Sequence, residues 1–243
     1  MEILKVENLS YKYSDSYILN DISFSVYQGD FLGIIGPNGA GKTTLFNCML
    51  GFLSDYSGNI IFFGQNIRKI KYIKEIGYIQ QEKSIPSNFP ITVKELISLP
   101  MTKIPNKNET IDSILKQTRL DKYKNTQIGQ LSGGEQQRLR ISIALATKPK
   151  ILILDEPTNE LDHESQHIFY SLLSEINERD NITIIWSSHD LDAVNKFANK
   201  VACINRKMFF HGNSDDFFDD PDNLKNYSEY SMQKHMHFHN SHF

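Results

Sequence analysis

The sequence is poor in cysteine and tryptophan, and neither sign of charge is in large excess. Only two cysteines and one tryptophan occur among 243 residues. Cys48 and Cys203 fall in apolar stretches, so we expect buried thiols of a reducing compartment rather than a disulfide or a redox pair. The net charge of −3 gives no electrostatic argument for nucleic-acid binding, and we expect no nucleic-acid partner.

Long hydrophobic runs are also missing. The longest, such as residues 151–154, fall far short of the roughly 20 residues that cross a bilayer. The N-terminal residues 1–6 lack the basic and then apolar pattern of a signal peptide. Because hydrophobic residues make up 40% and charged residues 23%, the composition is that of a globular protein with one large α/β domain or two small lobes.

A glycine-rich loop is the most informative feature that is present. It matches the pattern G-x-x-x-x-G-K-[ST] in full, it follows an apolar strand at 31–35, and it precedes a helix-compatible stretch at 44–50. Glycines let main-chain N–H groups surround an anion, and the helix N-terminus adds a partial positive charge. Lys42 is expected to reach the β- and γ-phosphates, and the Thr43 hydroxyl to ligate Mg²⁺. The sequence therefore predicts a nucleoside triphosphate site formed by Gly36, Pro37, Asn38, Gly39, Ala40, Gly41, Lys42, Thr43 and Thr44.

Hydrophobic periodicity predicts a mixed architecture. Residues 2–9 and 22–26 alternate as antiparallel strands do, and further short strands are predicted at 59–64 and 76–79. After Pro149 strands and helices alternate, which is typical of a parallel sheet with helices on both faces. These elements are predicted at 151–154, 163–178, 183–186, 191–198 and 201–205.

The character of the chain changes between residues 82 and 146. Prolines interrupt it, and helical patches are predicted at 93–99, 110–118 and 134–146, so we interpret it as a mostly helical insertion. We place the main domain at 1–212 and a C-terminal acidic and histidine-rich tail at 213–243, which we expect to be loosely ordered.

Two adjacent carboxylates follow the apolar run 151–154. Asp155 is expected at the carboxyl end of a buried strand, where ligands of α/β sheets collect, and there it would hold Mg²⁺. Glu156 then presents a second carboxylate that can act as general base toward the attacking water.

A third motif resembles the LSGGQ-type signature of ATP-binding-cassette (ABC) ATPases. It comprises Leu131, Ser132, Gly133, Gly134 and Glu135, and with the other motifs the resemblance covers roughly residues 3–212. It implies a P-loop NTPase core, mostly parallel sheet with flanking helices, with an N-terminal antiparallel β subdomain and an inserted helical subdomain. It also implies ATP hydrolysis with Mg²⁺.

Further site residues follow only from this resemblance. Tyr13 is similar to the aromatic residue that stacks on adenine, with Tyr11 as the nearby alternative. Gln81 resembles the glutamine that touches Mg²⁺ and the attacking water. Asp162 and His189 resemble the aspartate of the loop after the catalytic glutamate and the histidine that contacts the γ-phosphate.

The resemblance also implies partners. In the family two subunits sandwich ATP, with Ser132, Gly133 and Gly134 of one closing over nucleotide held by the other, so we expect a homodimer. A permease helix is expected near the insertion surface around Phe89 and Val93, which places the protein peripherally at the cytoplasmic face of the cell membrane.

The transported substrate is the property that the residues determine least. Residues 77–93 are most similar to ATPases of zinc and manganese importers, which implies an extracytoplasmic metal-binding protein as an indirect partner. Imidazole suits such metals, and four histidines close the sequence: His235, His237, His239 and His242. In an extended chain His235, His237 and His239 would share one side, and His242 would fold back to supply a fourth ligand. An iron-siderophore or haem importer ATPase, or a non-transport ABC ATPase, remains the alternative.

Overall fold

The computed structural model describes residues 1–69, 75–80, 89–101, 106–159 and 161–237, and for 230–237 it describes the backbone alone. The strands in chain order are β1 (Glu2–Tyr13), β2 (Ser16–Tyr27), β3 (Phe31–Ile35), β4 (Tyr56–Phe62), β5 (Gln65–Asn66), β6 (Ile76–Ile79), β7 (Ile151–Leu154), β8 (Thr183–Ser188), β9 (Lys200–Asn205) and β10 (Lys207–Asn213). The α-helices are α1 (Lys42–Met49), α2 (Val93–Ser98), α3 (Lys107–Gln117), α4 (Gly133–Leu145), α5 (His163–Asp180), α6 (Leu191–Phe197), α7 (Ser214–Phe218) and α8 (Pro221–His237).

The chain folds as two compact units. The first comprises the described residues of 1–72 and 185–243, and the second those of 73–184. The second unit is wider than the helical insertion expected at 82–146, because it also contains β6, β7 and α5. The boundaries of the insertion itself stay a prediction.

An antiparallel sheet with strand order β2-β1-β4-β5 begins the first unit. Its buried cross-strand pairs include Val6 with Phe24 and Leu9 with Ile22. Between those pairs the register shifts, and Asn8 and Asp21 take positive φ angles of 49° and 58° while the Asn8 amide donates to Asp21 Oδ1 at 2.9 Å. The predicted antiparallel strands are confirmed, and the bulge lets them continue to Tyr13 and Tyr27.

The strand that leads to the phosphate loop lies in the core of the first unit. All five residues of β3 are buried, and β3 pairs in parallel with β9 from Leu32 opposite Lys200 to Ile35 opposite Cys203. The rings of Phe31 and Trp186 meet edge to face with centroids 4.6 Å apart. A strand that is buried on both faces is expected to be apolar throughout, as β3 is.

Among its described residues, the second unit combines a parallel strand pair with the α-helices α2, α3, α4 and α5. β6 pairs with β7 from Ile76 opposite Ile151 to Ile79 opposite Leu154. Helix α2 begins with a capping box in which Thr92 and Glu95 satisfy each other's main-chain N–H groups. A buried hydrogen bond of 2.7 Å from Ser142 to Thr118 connects α4 to the end of α3. The three helices predicted in the insertion are confirmed, with ends shifted by up to three residues.

The C-terminal region differs from the expectation of a loosely ordered, extended tail. Residues 207–237 form β10, α7 and α8, and α8 begins at Pro221, a residue whose fixed φ suits the first helical position. His235 and His237 lie in α8, and helical residues two apart do not share a face. The extended arrangement is therefore wrong for these two, and His239 and His242 lie outside the described residues.

The burial of the cysteines agrees with the expectation from the sequence. Cys48 and Cys203 are both free and buried. No helix within the described ranges is long and apolar enough to span a bilayer.

Candidate functional site

The phosphate loop of the first unit is held by its own lysine. Lys42 opens α1, is buried, and its Nζ donates to the Gly36 carbonyl at 2.8 Å. Gly41 precedes the helix with φ of 103°, and Gly39 has φ of 72°, both in the left-handed region that favours glycine. The Thr43 side chain is exposed in the first helical turn. This geometry places a cation at the N-terminus of a helix, where the partial positive charge of the helix also favours an anion.

Gly36 is required by packing rather than by its backbone angles. A Cβ at this position would overlap the main-chain oxygen of Ile204 and lie 3.0 Å from the Ala40 Cβ. The Arg206 N–H also donates to the Ala40 carbonyl at 2.9 Å. The loop therefore packs directly against the β9–β10 turn of the same unit.

The other expected residues of the first unit are solvent-accessible. Tyr13, at the end of β1, is 70% exposed, whereas Tyr11 is half-buried, so Tyr13 has the freer ring for stacking. Tyr17 across the hairpin is also exposed, with the Lys12 ammonium 4.4 Å from its ring centroid, and the sequence interpretation missed it. His189 is exposed directly after β8, the sheet neighbour of β3.

The carboxylate pair belongs to the second unit. Asp155 is buried at the end of β7, and its N–H donates to Ile79 at 2.9 Å. Glu156 follows with φ of 43°, which is uncommon for a residue with a long side chain. The Asn159 side-chain amide donates to Glu156 Oε2 at 2.5 Å. Strained backbone of this kind persists only where the surroundings hold it, and it concentrates at functional sites.

The signature residues open α4 in the same unit. Ser132 is the N-cap, with its hydroxyl accepting from the Glu135 N–H at 3.4 Å and its own N–H donating to the Glu135 carboxylate at 2.8 Å. Burial raises the pKa of Glu135, but hydrogen bonds from Tyr123 and Ser132 outweigh burial and hold it below its ordinary value. Ser132 and Gly133 are exposed, so the first turn of α4 faces outward.

The signature lies next to Asp162. Asp162 is the N-cap of α5 and accepts hydrogen bonds from the Ser165 N–H at 2.8 Å and the Ser165 hydroxyl at 2.9 Å, which lower its pKa. A Cβ on Gly134 would lie 3.2 Å from that same hydroxyl. The structure thus brings Ser132, Gly134 and Asp162 together within one unit.

Two polar residues near Glu156, Gln137 in α4 and Asn159 in the loop after β7, were not singled out by sequence reasoning. Gln137 is buried, and its amide donates to the Pro157 carbonyl at 2.5 Å. Asn159 makes the contact to Glu156 described above. A side-chain amide at a core position of the predicted helix could have indicated that Gln137 makes a buried hydrogen bond. No comparable sequence pattern marks Asn159. Gln81 lies outside the described residues.

Comparison with known proteins decides the family. Residues 19–159 match the family model described as ABC transporter, a span that holds the phosphate loop, the signature and the carboxylate pair. The chain belongs to the ABC transporter family. A zinc uptake system ATP-binding protein of Listeria monocytogenes is 40% identical over 225 residues, which cover 89% of this chain and 88% of that protein. A manganese transport system ATP-binding protein of Halalkalibacterium halodurans is 35% identical over 218 residues, which cover 86% of each.

A solved structure supports the same assignment. A dimeric ATP-binding cassette in a post-hydrolysis state, bound to ADP and Pi, aligns with a TM-score of 0.73 and 26% identity over 87% of this chain and 99% of that one. The resemblance stated from the motifs is confirmed, as is the P-loop NTPase fold with its antiparallel and parallel sheets. The protein is an ABC-type ATPase.

Proposed function

We propose that this chain is the ATP-hydrolysing subunit of an ABC transporter that imports zinc or manganese through a separate membrane permease. The observation that carries the proposal is the similarity to zinc and manganese transport ATP-binding proteins over more than 80% of both chains. Import of haem or an iron-siderophore would use the same catalytic residues with a different permease, so the metal must be tested directly.

We assign nucleotide binding to the phosphate loop. Its N–H groups and Lys42 bind the phosphates, with Thr44 continuing the first turn of α1, and Tyr13 stacks on adenine. The donors assigned to Mg²⁺ are the Thr43 hydroxyl, the Asp155 carboxylate and the Gln81 amide oxygen, and such oxygens fit this cation. When bound there, Mg²⁺ neutralises negative charge on the β- and γ-phosphates.

We assign proton removal to Glu156. Its carboxylate accepts a proton from water while the water oxygen forms a bond to the γ-phosphorus. The bond from phosphorus to the bridging oxygen breaks, and that oxygen leaves with the electron pair as ADP. His189 contacts the γ-phosphate, and Gln81 orients the water.

We infer that the working form is a homodimer with two ATP molecules between its subunits. Ser132, Gly133 and Gly134 of one subunit close over the γ-phosphate held by the other, and Asp162 borders the same contact. The exposed first turn of α4 and the similarity to a solved dimeric cassette support this arrangement.

The second unit offers a groove for the permease. A cavity of about 340 Å³ lies between β6, the end of α4 and Pro100, with Tyr78, Gln80 and Arg140 among its lining residues. Phe89 is 52% exposed and suits an apolar contact, whereas Val93 is fully buried and is not part of the expected surface. We propose that a permease helix docks here and holds the protein at the cytoplasmic face of the membrane, with an extracytoplasmic metal-binding protein delivering the ion.

The catalytic assignment is tested by Glu156→Gln in the purified protein. Hydrolysis should fall by at least ~100-fold, the scale of general-base loss, while ATP binding is retained. Glu178→Gln, which changes an exposed carboxylate on α5, is the matched control and should leave the rate unchanged. Hydrolysis by Glu156→Gln at the wild-type rate would remove Glu156 from the mechanism.

The transport assignment is tested in cells that lack their own metal importer. The chain is co-expressed with candidate permease and binding-protein pairs for each substrate, and uptake of radioactive zinc, manganese, haem and ferric siderophore is compared. ATP-dependent uptake of zinc or manganese that is lost in Lys42→Ala supports the proposal. Uptake of haem or siderophore alone overturns it.

A further inference from the structure

The described residues of the loop between β7 and α5, 156–159 and 161–162, are fixed to two helices. From α4, Gln137 donates to the Pro157 carbonyl at 2.5 Å. From α5, the Gln166 amide donates to Thr158 at 3.1 Å and Leu161 at 3.0 Å, and the hydroxyl groups of Thr158 and Tyr170 lie 2.9 Å apart in a buried contact. These bonds hold the main chain and account for the left-handed conformation at Glu156.

The contact between Asn159 and Glu156 is not needed for this anchoring. The Asn159 side chain is exposed, and its amide meets Glu156 Oε2 at 2.5 Å. A short exposed contact adds little to stability because solvent competes for both groups. A charge-assisted N–H donor nevertheless fixes the rotamer of a carboxylate.

A general base depends on such an orientation, because its oxygen must lie within hydrogen-bond reach of the water. Misplacement of a reacting group by about 1 Å is sufficient to slow a reaction by up to ~100-fold.

We propose that Asn159 is a positioning residue for ATP hydrolysis, whose amide orients the Glu156 carboxylate toward the attacking water. This inference rests on the proposed function, because it requires Glu156 to be the general base. Asn159 touches neither water nor phosphate in this role, and its effect passes entirely through Glu156.

Three substitutions test the role. Asn159→Ala removes the donor, and kcat should fall by about 10-fold with KM for ATP unchanged. Asn159→Asp keeps the shape but sets a carboxylate against Glu156, so kcat should fall further. Asn159→Ser retains a shorter donor and should recover part of the loss. Asn108→Ala, which removes an exposed amide on α3, is the control.

Steady-state kinetics separate positioning from a merely structural role. Positioning lowers kcat while KM for ATP and the thermal unfolding midpoint stay equal to those of the control, whereas a structural role lowers the amount of folded protein. Unchanged kcat in Asn159→Ala, or a loss of rate that only follows a loss of folded protein, overturns the inference.

The two levels of proposal fail in different ways. If Glu156→Gln hydrolyses ATP normally, the assignment of the base is wrong. If Glu156→Gln is inactive while all Asn159 variants are normal, only the role of Asn159 is wrong.

Discussion

The side chain of Gln137, in the second turn of α4, donates a hydrogen bond to the main-chain carbonyl of Pro157, next to Glu156. The signature helix and the loop that carries the proposed general base are thereby joined through a buried contact. Within the second unit, the position of Glu156 depends on α4 as well as on β7.

Replacement of Gln137 by Leu tests this connection. Loss of the donor leaves the Pro157 carbonyl without this bond, and an unsatisfied buried acceptor costs about 1–3 kcal/mol. We expect the free energy of unfolding in urea to fall by that amount and ATP hydrolysis to fall with it. The control is Gln117→Leu, which removes an amide bonded to exposed Asp180 and should change stability by less than ~1 kcal/mol. Equal losses of unfolding free energy in the two variants would show that the buried hydrogen bond contributes no more to stability than the exposed one.

Gly36→Ala separates packing from backbone strain in the phosphate loop. The added methyl group would overlap the Ile204 carbonyl, so we expect a loss of at least ~2 kcal/mol in unfolding free energy and loss of nucleotide binding. Gly64→Ala is the matched control: nothing lies within 4 Å of its Cβ, but its φ of 76° is strained for alanine. That variant should lose about 1 kcal/mol and bind nucleotide normally. Urea unfolding measures the stability of the two variants, and titration with fluorescent ATP measures their nucleotide binding. Normal binding by Gly36→Ala would contradict the packing argument.

The charge of Glu135 predicts a pH dependence of stability. Its folded pKa is lowered, so its contribution is present above the unfolded value of about 4.3 and is lost as pH falls through the folded value. Glu135→Gln keeps a capping side chain at this position but carries no charge. The unfolding midpoint of the wild type should exceed that of Glu135→Gln at pH 7, and the difference should shrink steadily as the pH is lowered below the unfolded pKa of Glu135. A difference that does not depend on pH would show that the charge of Glu135 is not its cause.

A crosslink between subunits tests the proposed head-to-tail dimer. One cysteine is introduced beside Lys42 and one beside Ser132 in the Glu156→Gln background, and ATP should promote a disulfide between subunits. The native thiols should not interfere, because burial raises the pKa of Cys48 to about 12 and also raises that of Cys203. A crosslink that forms equally without ATP, or never forms, contradicts the sandwich.

The exposed side chain of Phe89 tests where the permease contacts this protein. Phe89→Ala should reduce metal uptake severalfold in the assembled transporter while ATP hydrolysis by the isolated chain is unchanged, since an exposed side chain contributes little to folding. Val93→Ala is the informative comparison, because Val93 is buried and its loss should lower stability by a few kcal/mol instead. Full uptake by Phe89→Ala would move the permease contact elsewhere.

Local sequence patterns were sufficient to predict the strands that precede the site residues. The strands at 76–79 and 151–154 agree with β6 and β7 to the residue, because short apolar runs between turn signals are strongly patterned. The φ of Glu156 could not be predicted, since it depends on hydrogen bonds from Gln137 and Gln166 that only the tertiary fold supplies.

The missed C-terminal elements have two different causes. The β9–β10 turn is made by Arg206 with φ of 61°, and an arginine gives no turn signal. The sequence does contain a start signal for α8, because Asp220 precedes Pro221 and proline suits the first helical position. In the structure Asp220 accepts a hydrogen bond from the Asp222 N–H. The polar composition of the residues that follow nevertheless favoured disorder over a helix.

The single tryptophan gives this protein a built-in spectroscopic reporter. Trp186 is fully buried with its ring 4.6 Å from that of Phe31, the first residue of the strand that leads to the phosphate loop. Tryptophan emission, excited above the tyrosine absorption band, therefore comes from one site in the core of the first unit, and its spectrum follows the exposure of that site without any attached dye.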